Sequence, residues 1–470
     1  MSGIMRATAV FTVYTVIYLL TEFALYGRFS EIFGSGSVPA LYATLMFLNG
    51  CGYLLFPCVS RFFAEERKKR WFLAAAAAVL AASAILTDVS SQHAVVILGA
   101  FASMIAGGYL GGAALYAGAV RLRGSGVEGR AFSAAIALSV LIQFPIQNYG
   151  GGPYIRLAAI AAGSLIFLKM ILPLPEARSF PAEAAENTKR KYTGELVAAA
   201  VIVLLLSHFY GIGDGFLMKL NAEGKVSVVT WPRLLYVPGL LIAGFLADRK
   251  NGRYLTAVTL AVASVLSVYP LFLEKGLSYE IFHVTFWLFN GFYVVYLSVP
   301  FLKLSVNSGF PELWAGMGRS VKQFVNCISV IPTAILLDSS GPRWALYCNA
   351  AVVVAMTAFS CLTLLRKNAA SDAGAPETTG PGVVEEHLGS FAERYSLTKR
   401  ETMVLEKMIV EDETAKEIGR SLYISERSCQ RHITAIYEKA GVKNRAALLM
   451  IFFKDNNETT KDIQKLTIQK

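Results

Sequence analysis

Twelve apolar runs in residues 1–368 constrain this chain more than anything else in it. They fall near 7–27, 38–60, 71–88, 94–119, 131–149, 154–173, 195–214, 226–247, 254–273, 279–302, 316–337 and 342–365. A hydrocarbon core of about 30 Å is crossed by roughly 20 residues of helix, so runs of this length read as spans. No water is available there to backbone N–H and C=O groups, which leaves the helix as the unit that satisfies them within one segment. The hydrophobic share of 54% is too high for a soluble protein. The first run lacks a small-residue cleavage site ahead of a soluble domain and reads as a span rather than a removed signal.

The chain is basic, with a formal charge of +11, and where the charge lies decides its meaning. Residues 371–470 hold 15 Lys and Arg against 16 Asp and Glu, a net −1; residues 1–370 hold 29 against 17, a net +12. The basicity therefore belongs to the apolar part. There it alternates from loop to loop. Arg61, Arg67, Lys68, Lys69 and Arg70 follow the second run, Arg121, Arg123 and Arg130 the fourth, and Arg178, Lys189, Arg190 and Lys191 the sixth. Arg249, Lys250 and Arg253 follow the eighth, and Arg319 and Lys322 are placed after the tenth. The intervening loops carry only scattered charges such as Arg28, Lys219, Lys225 and Lys275. The positive-inside rule then predicts a multi-pass protein of the cell membrane with both termini cytoplasmic.

The longest loop, with Pro173, Pro175 and Pro181, divides the runs six and six, which predicts two pseudo-symmetric halves. After the eighth run stands Gly244-Phe-Leu-Ala-Asp-Arg-Lys-Asn-Gly-Arg253. This resembles the Gly-x-Leu-Ala-Asp-Arg-x-Gly-Arg loop of the major facilitator superfamily, with one extra residue before Gly252. The matching first-half stretch, Arg61 to Arg70, lacks the glycines and the aspartate. Asp248 is suited to cap a neighbouring helix or to pair with an arginine at the membrane face, as a conformational latch.

Polar residues within the runs are costly to bury and are functional candidates for that reason. They are Glu22, Gln143, Gln147, Asn148, His208, Asp214, Arg233, His283, Asn290, Gln323 and Asn326. Arg233, with Asp214 and Gln143, makes the candidate ligand site. Arg233 is placed to meet an anionic headgroup, or to form a structural pair with Asp214. Tyr210, Tyr236, Tyr293 and Tyr296 on nearby runs are candidates to stack on an aromatic ligand, or ordinary packing residues.

Near the end of the chain the pattern changes. Thr398 with Glu401, and Thr414 with Glu417, form two capping boxes, each opening a helix. Ser425 is a natural N-cap for a third helix, whose Cys429, Ile433, Ile436, Tyr437 and Ala440 recur on one buried face. Arg427, Ser428, Gln430, Arg431, Thr434 and Glu438 face outward. Short helix, tight turn and longer helix with a polar, basic outer face are the layout of a helix-turn-helix.

This stretch resembles a LuxR-type DNA-binding domain. The match runs through Leu397, Thr398, Arg400 and Glu401, then Lys416, Glu417 and Ile418, then Ile424, Ser425 and His432, and ends on Ile436 to Val442. The family's Thr-Val-Lys is replaced by Ser428, Cys429 and Gln430, a departure that bears on base preference rather than on fold. The resemblance implies base contacts by Gln430, Arg431 and Thr434, and phosphate contacts by Ser428 and Lys416. It also implies promoter DNA as partner; because the domain's own charge is about neutral, monomer affinity is expected to be low and a homodimer is expected to form through the last helix, near Asn444 to Phe453.

The expected fold is all-α: a polytopic bundle of twelve spans (6+6) plus a C-terminal four-helix domain. The predicted division is 1–175 and 195–365 for the halves, 176–194 for the central loop and 366–390 for a flexible linker. The DNA-binding domain follows over 391–456, and a polar tail over 457–470. As a random coil, a linker of about 25 residues spans only some 27 Å on average, so the DNA must come to the membrane.

Gly124-x-Gly126-x-x-Gly129 has the letters of a dinucleotide fingerprint but follows a membrane helix, not a strand, and reads as a loop. The cysteines show no metal-ligand spacing and are packing residues by expectation. No catalytic motif, metal or cofactor site is expected. The two parts together resemble one-component membrane regulators, which implies ligand-responsive transcription. The alternative is a working transporter with a regulatory tail.

Overall fold

The computed structural model describes residues 3–34, 38–63, 65–150, 152–175, 185–249, 252–267, 278–340, 343–373, 381–410, 415–442, 447–448 and 451–452. These form helices joined by turns, without a strand among them. Contacts divide the chain into two compact units, residues 1–363 and 364–470.

The first half of the membrane unit is α1 (Gly3–Phe33), α2 (Val38–Phe62), α3 (Glu66–Val89), α4 (His93–Leu122), α5 (Glu128–Tyr149) and α6 (Pro153–Ile171). The second half is α7 (Ala185–Ala222), a 3-10 turn (Trp231–Leu235), α8 (Tyr236–Ala247) and α9 (Arg253–Ser267), followed by α10 (Tyr279–Tyr296), α11 (Val299–Ser305), α12 (Pro311–Ser340) and α13 (Arg343–Ala373). Each predicted run is mostly helical over its described residues, the exceptions being 172–173 at the end of the sixth, 226–230 at the start of the eighth and 297–298 within the tenth. Among the described residues, eight helical stretches are long and apolar enough to cross a membrane, and three shorter apolar helices, Trp231–Ala247, Tyr254–Ser267 and Tyr347–Leu362, fall on the eighth, ninth and twelfth runs.

Two runs are broken where continuous helices were predicted. The eighth begins as the 3-10 turn at Trp231, because Pro232 has no N–H to donate to a preceding turn. In the tenth, Pro300 opens α11 after the interruption at Leu297 and Ser298. The predicted linker is also corrected at both ends. The last membrane helix continues to Ala373, and a further helix opens at Pro381. An Ala- and Ser-rich segment reads as a coil by composition, yet it propagates a helix already nucleated by the span before it.

Close packing in the first half rests on a glycine pair. A Cβ on Gly52 of α2 would stand 2.3 Å from the Ile105 carbonyl, and one on Gly108 of α4 would stand 2.1 Å from that of Asn49. Such small-residue contacts let helix backbones touch where no hydrophobic force joins them.

The halves meet through α2 against α12 and α5 against α8. A two-fold that equates run n with run n+6 exchanges these two contacts, since α12 carries the eleventh run. Asp248, at the end of α8, fastens one of them. Its Oδ1 accepts from the Gly129 N–H at 2.7 Å, and its Oδ2 accepts from the N–H and Nε of Arg130 at 2.9 and 3.1 Å. Lys303 Nζ lies 3.3 Å from Oδ1. The carboxylate thus caps the first turn of α5, where the helix dipole favours a negative charge. Gly129 and Gly244 allow this approach: a Cβ on Gly129 would meet the Gly244 carbonyl at 2.6 Å. The related contact, α2 with α12, has instead Arg61 over the Phe310 ring at 4.7 Å. The latch is therefore one-sided. Asp248→Ala is expected to lower the stability of the purified full-length protein by on the order of 1–3 kcal/mol, the worth of charge-assisted hydrogen bonds. A thermal melt in detergent reads this, and an unchanged midpoint would remove the clamp from the account.

The second unit holds α14 (Pro381–Arg394), α15 (Lys399–Val410), α16 (Ala415–Ser421) and α17 (Glu426–Lys439). Its core joins Leu388 and Phe391 of α14 to Val404, Leu405, Met408, Ile418, Cys429, Ile436, Leu448 and Phe452. The helix α14 is thus part of the domain, where the sequence placed a linker.

Candidate nucleic-acid interface and candidate ligand cavity

The helix-turn-helix is α16, a turn and α17. Its turn closes as a Schellman motif: the Ile424 N–H reaches the Gly419 carbonyl at 2.8 Å and the Tyr423 N–H reaches that of Arg420 at 3.4 Å. Tyr423 takes the left-handed position, φ 54°, usually given to glycine. The same closure recurs at Ser396 (φ 51°) and Gly441 (φ 66°). The Ser425 hydroxyl caps α17, accepting from the Ser428 N–H at 3.1 Å as the sequence predicts.

The predicted inner face of α17 packs as expected. Cys429, Ile436 and Ala440 are buried, and Ile433 and Tyr437 lie partly buried against the same core. Burial, with the charge of Glu426, pushes the Cys429 thiol up, away from the reactive thiolate. Gln430, Arg431 and Thr434 are exposed on the outer face, with Arg427 and Glu438. Ser428 is half-buried, its hydroxyl 2.9 Å from that of Ser425. Lys416 lies on α16, but its side chain falls outside the described residues, as do Thr414 and the side chain of Glu417. Of the predicted dimer face, Asn444 and Phe453 fall outside them too, while Leu448 and Phe452 are spent on the domain's own core.

The capping box at Thr398 is formed. The Thr398 N–H donates to Glu401 Oε2 at 2.7 Å, and the Glu401 N–H reaches the Thr398 hydroxyl at 3.4 Å. Lys439, at the far end of α17, donates to the same Oε2 at 2.7 Å and to the Ser396 carbonyl at 3.0 Å. One carboxylate so fastens the recognition helix to the start of α15. Burial raises the Glu401 pKa, but the hydrogen bonds from Lys439 and Thr398 and the Lys439 charge outweigh it and hold it below the ordinary value. A depressed carboxylate stabilises the fold above its unfolded pKa, near 4.3 in model peptides, and that contribution is lost as pH falls through the folded value. Glu401→Gln is expected to lower the stability of a fragment from residue 381 onward at pH 7 by on the order of 1–2 kcal/mol, read as a lower melting temperature. The gap to the unmodified fragment should close in acid below about pH 4.

In the membrane unit, one cavity of ≈ 1250 Å³, its mouth included, lies between the halves. Glu22, Asp214, Arg233, Asn290 and Gln323 from the predicted polar set line it, with Tyr210 and Tyr236. Gln143 is corrected: it is fully buried on α5 and bonds Gln147 one turn on, away from the lining. Tyr293 stands behind the wall, stacked on Tyr210 at 4.5 Å with its hydroxyl on Ser207, and Tyr296 also lies off the lining. His208 pairs with Ser329 at 2.9 Å and is not in the lining.

Arg233 is only 2% exposed, in the 3-10 turn. Its guanidinium carbon sits 3.8 Å from the centre of the Phe23 ring and 5.7 Å from that of Trp287. Its Nε and Nη1, and Oδ2 of Asp214, have no hydrogen-bond partner among the described residues. The alternative pairing of Arg233 with Asp214 is not formed. Arg319 and Lys322, which the sequence assigned to a basic loop, are corrected to cavity residues on α12. The signal that could have found them is their helical spacing with Gln323 and Asn326.

Residues 395–452 match the model of bacterial regulatory proteins, luxR family. Spore germination protein GerE of Bacillus subtilis (strain 168) is 45% identical over 56 residues, which cover 12% of this chain and 74% of that relative. The membrane unit is similar in fold to solved transporters. The human organic anion transporter MFSD10 (TETRAN) superposes with a TM-score of 0.54 at 14% identity, covering 76% of this chain and all of that one. An auto-inhibited POT family peptide transporter gives 0.53 at 11% identity, covering 76% of this chain and 96% of its own. The major facilitator superfamily transporter FucP, in its outward conformation, gives 0.51 at 12%, covering 76% and 98%. Through its C-terminal helix-turn-helix the chain belongs to the luxR family of bacterial regulatory proteins, and it carries that DNA-binding domain with a membrane unit of the major facilitator fold.

Proposed function

We propose that this is a membrane-bound transcriptional regulator: the transporter-like bundle senses a small molecule, and the C-terminal domain binds promoter DNA as a homodimer. The observation that carries this reading is the buried, unpaired guanidinium of Arg233 in a cavity between the halves, in a chain that also has a luxR-type domain. A charge buried without a partner is costly and is kept where it serves a site. Arg233 then holds the anionic group of the ligand, with Asp214 lining the same cavity. The bundle makes twelve spans in the cell membrane with both termini cytoplasmic, an orientation supported by the basic loops after the second, fourth, sixth and eighth runs. Gln430, Arg431 and Thr434 read bases, and Ser428 and Lys416 hold phosphates.

The second reading, a working transporter with a regulatory tail, is favoured by the formed latch at Asp248; the one-sidedness of that latch favours the sensor. Two measurements separate them. A cytoplasm-active reporter fused after residue 470 is expected to be active; an external end would defeat both topology and DNA binding. Uptake assays in vesicles, with small molecules that alter transcription in cells, are expected to show binding without accumulation, and accumulation would assign the chain as a transporter.

A further inference from the structure

We propose that the cavity takes an amphipathic zwitterion with an aromatic or apolar body, of the kind of an aromatic α-amino acid or a short apolar peptide. This rests on the cavity being the sensing site and goes further, to the ligand's chemistry. The hydrogen-bond partners of the charged lining groups point to it. Five ionisable side chains other than tyrosine line the cavity: Glu22, Asp214, Arg233, Arg319 and Lys322. Three have protein partners. Glu22 accepts from the Tyr42 hydroxyl at 3.3 Å, Arg319 Nε donates to the Ser298 hydroxyl at 3.1 Å, and Lys322 Nζ donates to Gln323 at 3.2 Å. The side-chain amides are also engaged, Gln323 with Asn49 and Tyr18, and Asn290 with the Tyr210 hydroxyl, while the neutral donor Trp287 Nε1 lines the cavity without a partner.

Of the charged lining groups, the two with a buried atom that lacks a hydrogen-bond partner are one of each sign. Arg233 is 2% exposed with Nε and Nη1 unpartnered, and Asp214 is 7% exposed with Oδ2 unpartnered. They line one cavity and form no ion pair with each other. A simple anion would satisfy Arg233 and leave the Asp214 oxygen orphaned; a simple cation would do the reverse. A molecule carrying both charges satisfies both. The wall beside Arg233 is aromatic: Phe23 lies under the guanidinium, and Trp287 stands 6.0 Å from Tyr236. That wall suits a flat or apolar body next to the bound carboxylate.

The test uses the full-length protein in lipid nanodiscs and follows its melting temperature against probe concentration. The probes come in sets of three: a zwitterion, its deamino acid and its decarboxylated amine. L-phenylalanine, 3-phenylpropanoate and 2-phenylethylamine make one set; L-tyrosine, L-tryptophan and phenylalanyl-leucine head others. In at least one set the zwitterion is expected to half-saturate at a concentration about tenfold or more below either clipped analogue, the step set by one lost charge contact. Asp214→Asn should bring that zwitterion down to its deamino acid, and Arg233→Gln down to its amine. If instead the deamino acids bind as well as their parents, and Asp214→Asn changes nothing, the zwitterion proposal falls while an Arg233-held anion survives. If no probe in any set shifts the unmodified protein, both the proposal and the cavity as a site for such molecules fall. The comparison among probes on the unmodified protein decides the matter even where a variant does not fold.

Discussion

Arg233→Met is expected to abolish the ligand-dependent change in transcription and, in the same protein, to raise the melting temperature. The two effects have one cause. Arg233 is almost fully buried, and two of its nitrogens have no partner. Removing an ion from water costs several kcal/mol, and a partner normally offsets that cost. Here the offset is the face of Phe23, at 3.8 Å, worth about 2 kcal/mol for a desolvated pair. Methionine fills similar volume without the charge, so a net gain on the order of 1 kcal/mol follows. Because Arg233 and Asp214 share no ion pair, adding Asp214→Ala should not rescue the response. A structural role gives the opposite pattern: lower abundance for Arg233→Ala alone, and recovery in the double variant. Immunoblot abundance, a detergent melt and a reporter driven by the chain's own promoter distinguish the patterns.

What was legible in the sequence divides by range. Local devices were legible because their partners sit three or four residues apart. The capping box of Thr398 and Glu401, the Ser425 cap and the inner stripe of α17 are of this kind. Asp248 was legible for a related reason. A carboxylate at the end of one helix needs a helix start or an arginine nearby, and it found both in Gly129 and Arg130. The cavity was not legible in full, because its lining is set by how helices of both halves pack. Arg233 and Asp214 could be chosen as polar residues in apolar runs, but so could Gln143, which turns along its own helix instead. Charge counting places Arg319 and Lys322 in a loop because it ignores the helical face they share with Gln323. Residues 366–373 and 381–390 were not legible as helix because Ala and Ser serve a coil and an elongating helix alike.

That last correction shapes the remaining experiment. A DNA-binding fragment must begin no later than Pro381, since Leu388 and Phe391 of α14 are part of the domain core. With such a fragment, Arg431→Ala is expected to weaken binding to the chain's own promoter by about 1–3 kcal/mol, roughly 5- to 150-fold, and to relax choice at one base pair. Arg431 and Gln430 stand exposed on α17, opposite the buried Cys429 and Ile436. Arginine is suited to guanine O6 and N7, and glutamine to adenine N6 and N7, both through bidentate geometry. Lys416→Ala is expected to act differently. A phosphate contact positions without specifying, so its loss should weaken all sequences alike and reduce the salt slope by about one. Residues 371–470 carry a net charge of −1, so little general attraction to DNA is available to mask these differences. Titrations on promoter and random DNA across salt concentrations read both variants at once. Equal loss on the two DNAs for Arg431→Ala would remove this face of α17 from base readout and leave it as a phosphate contact.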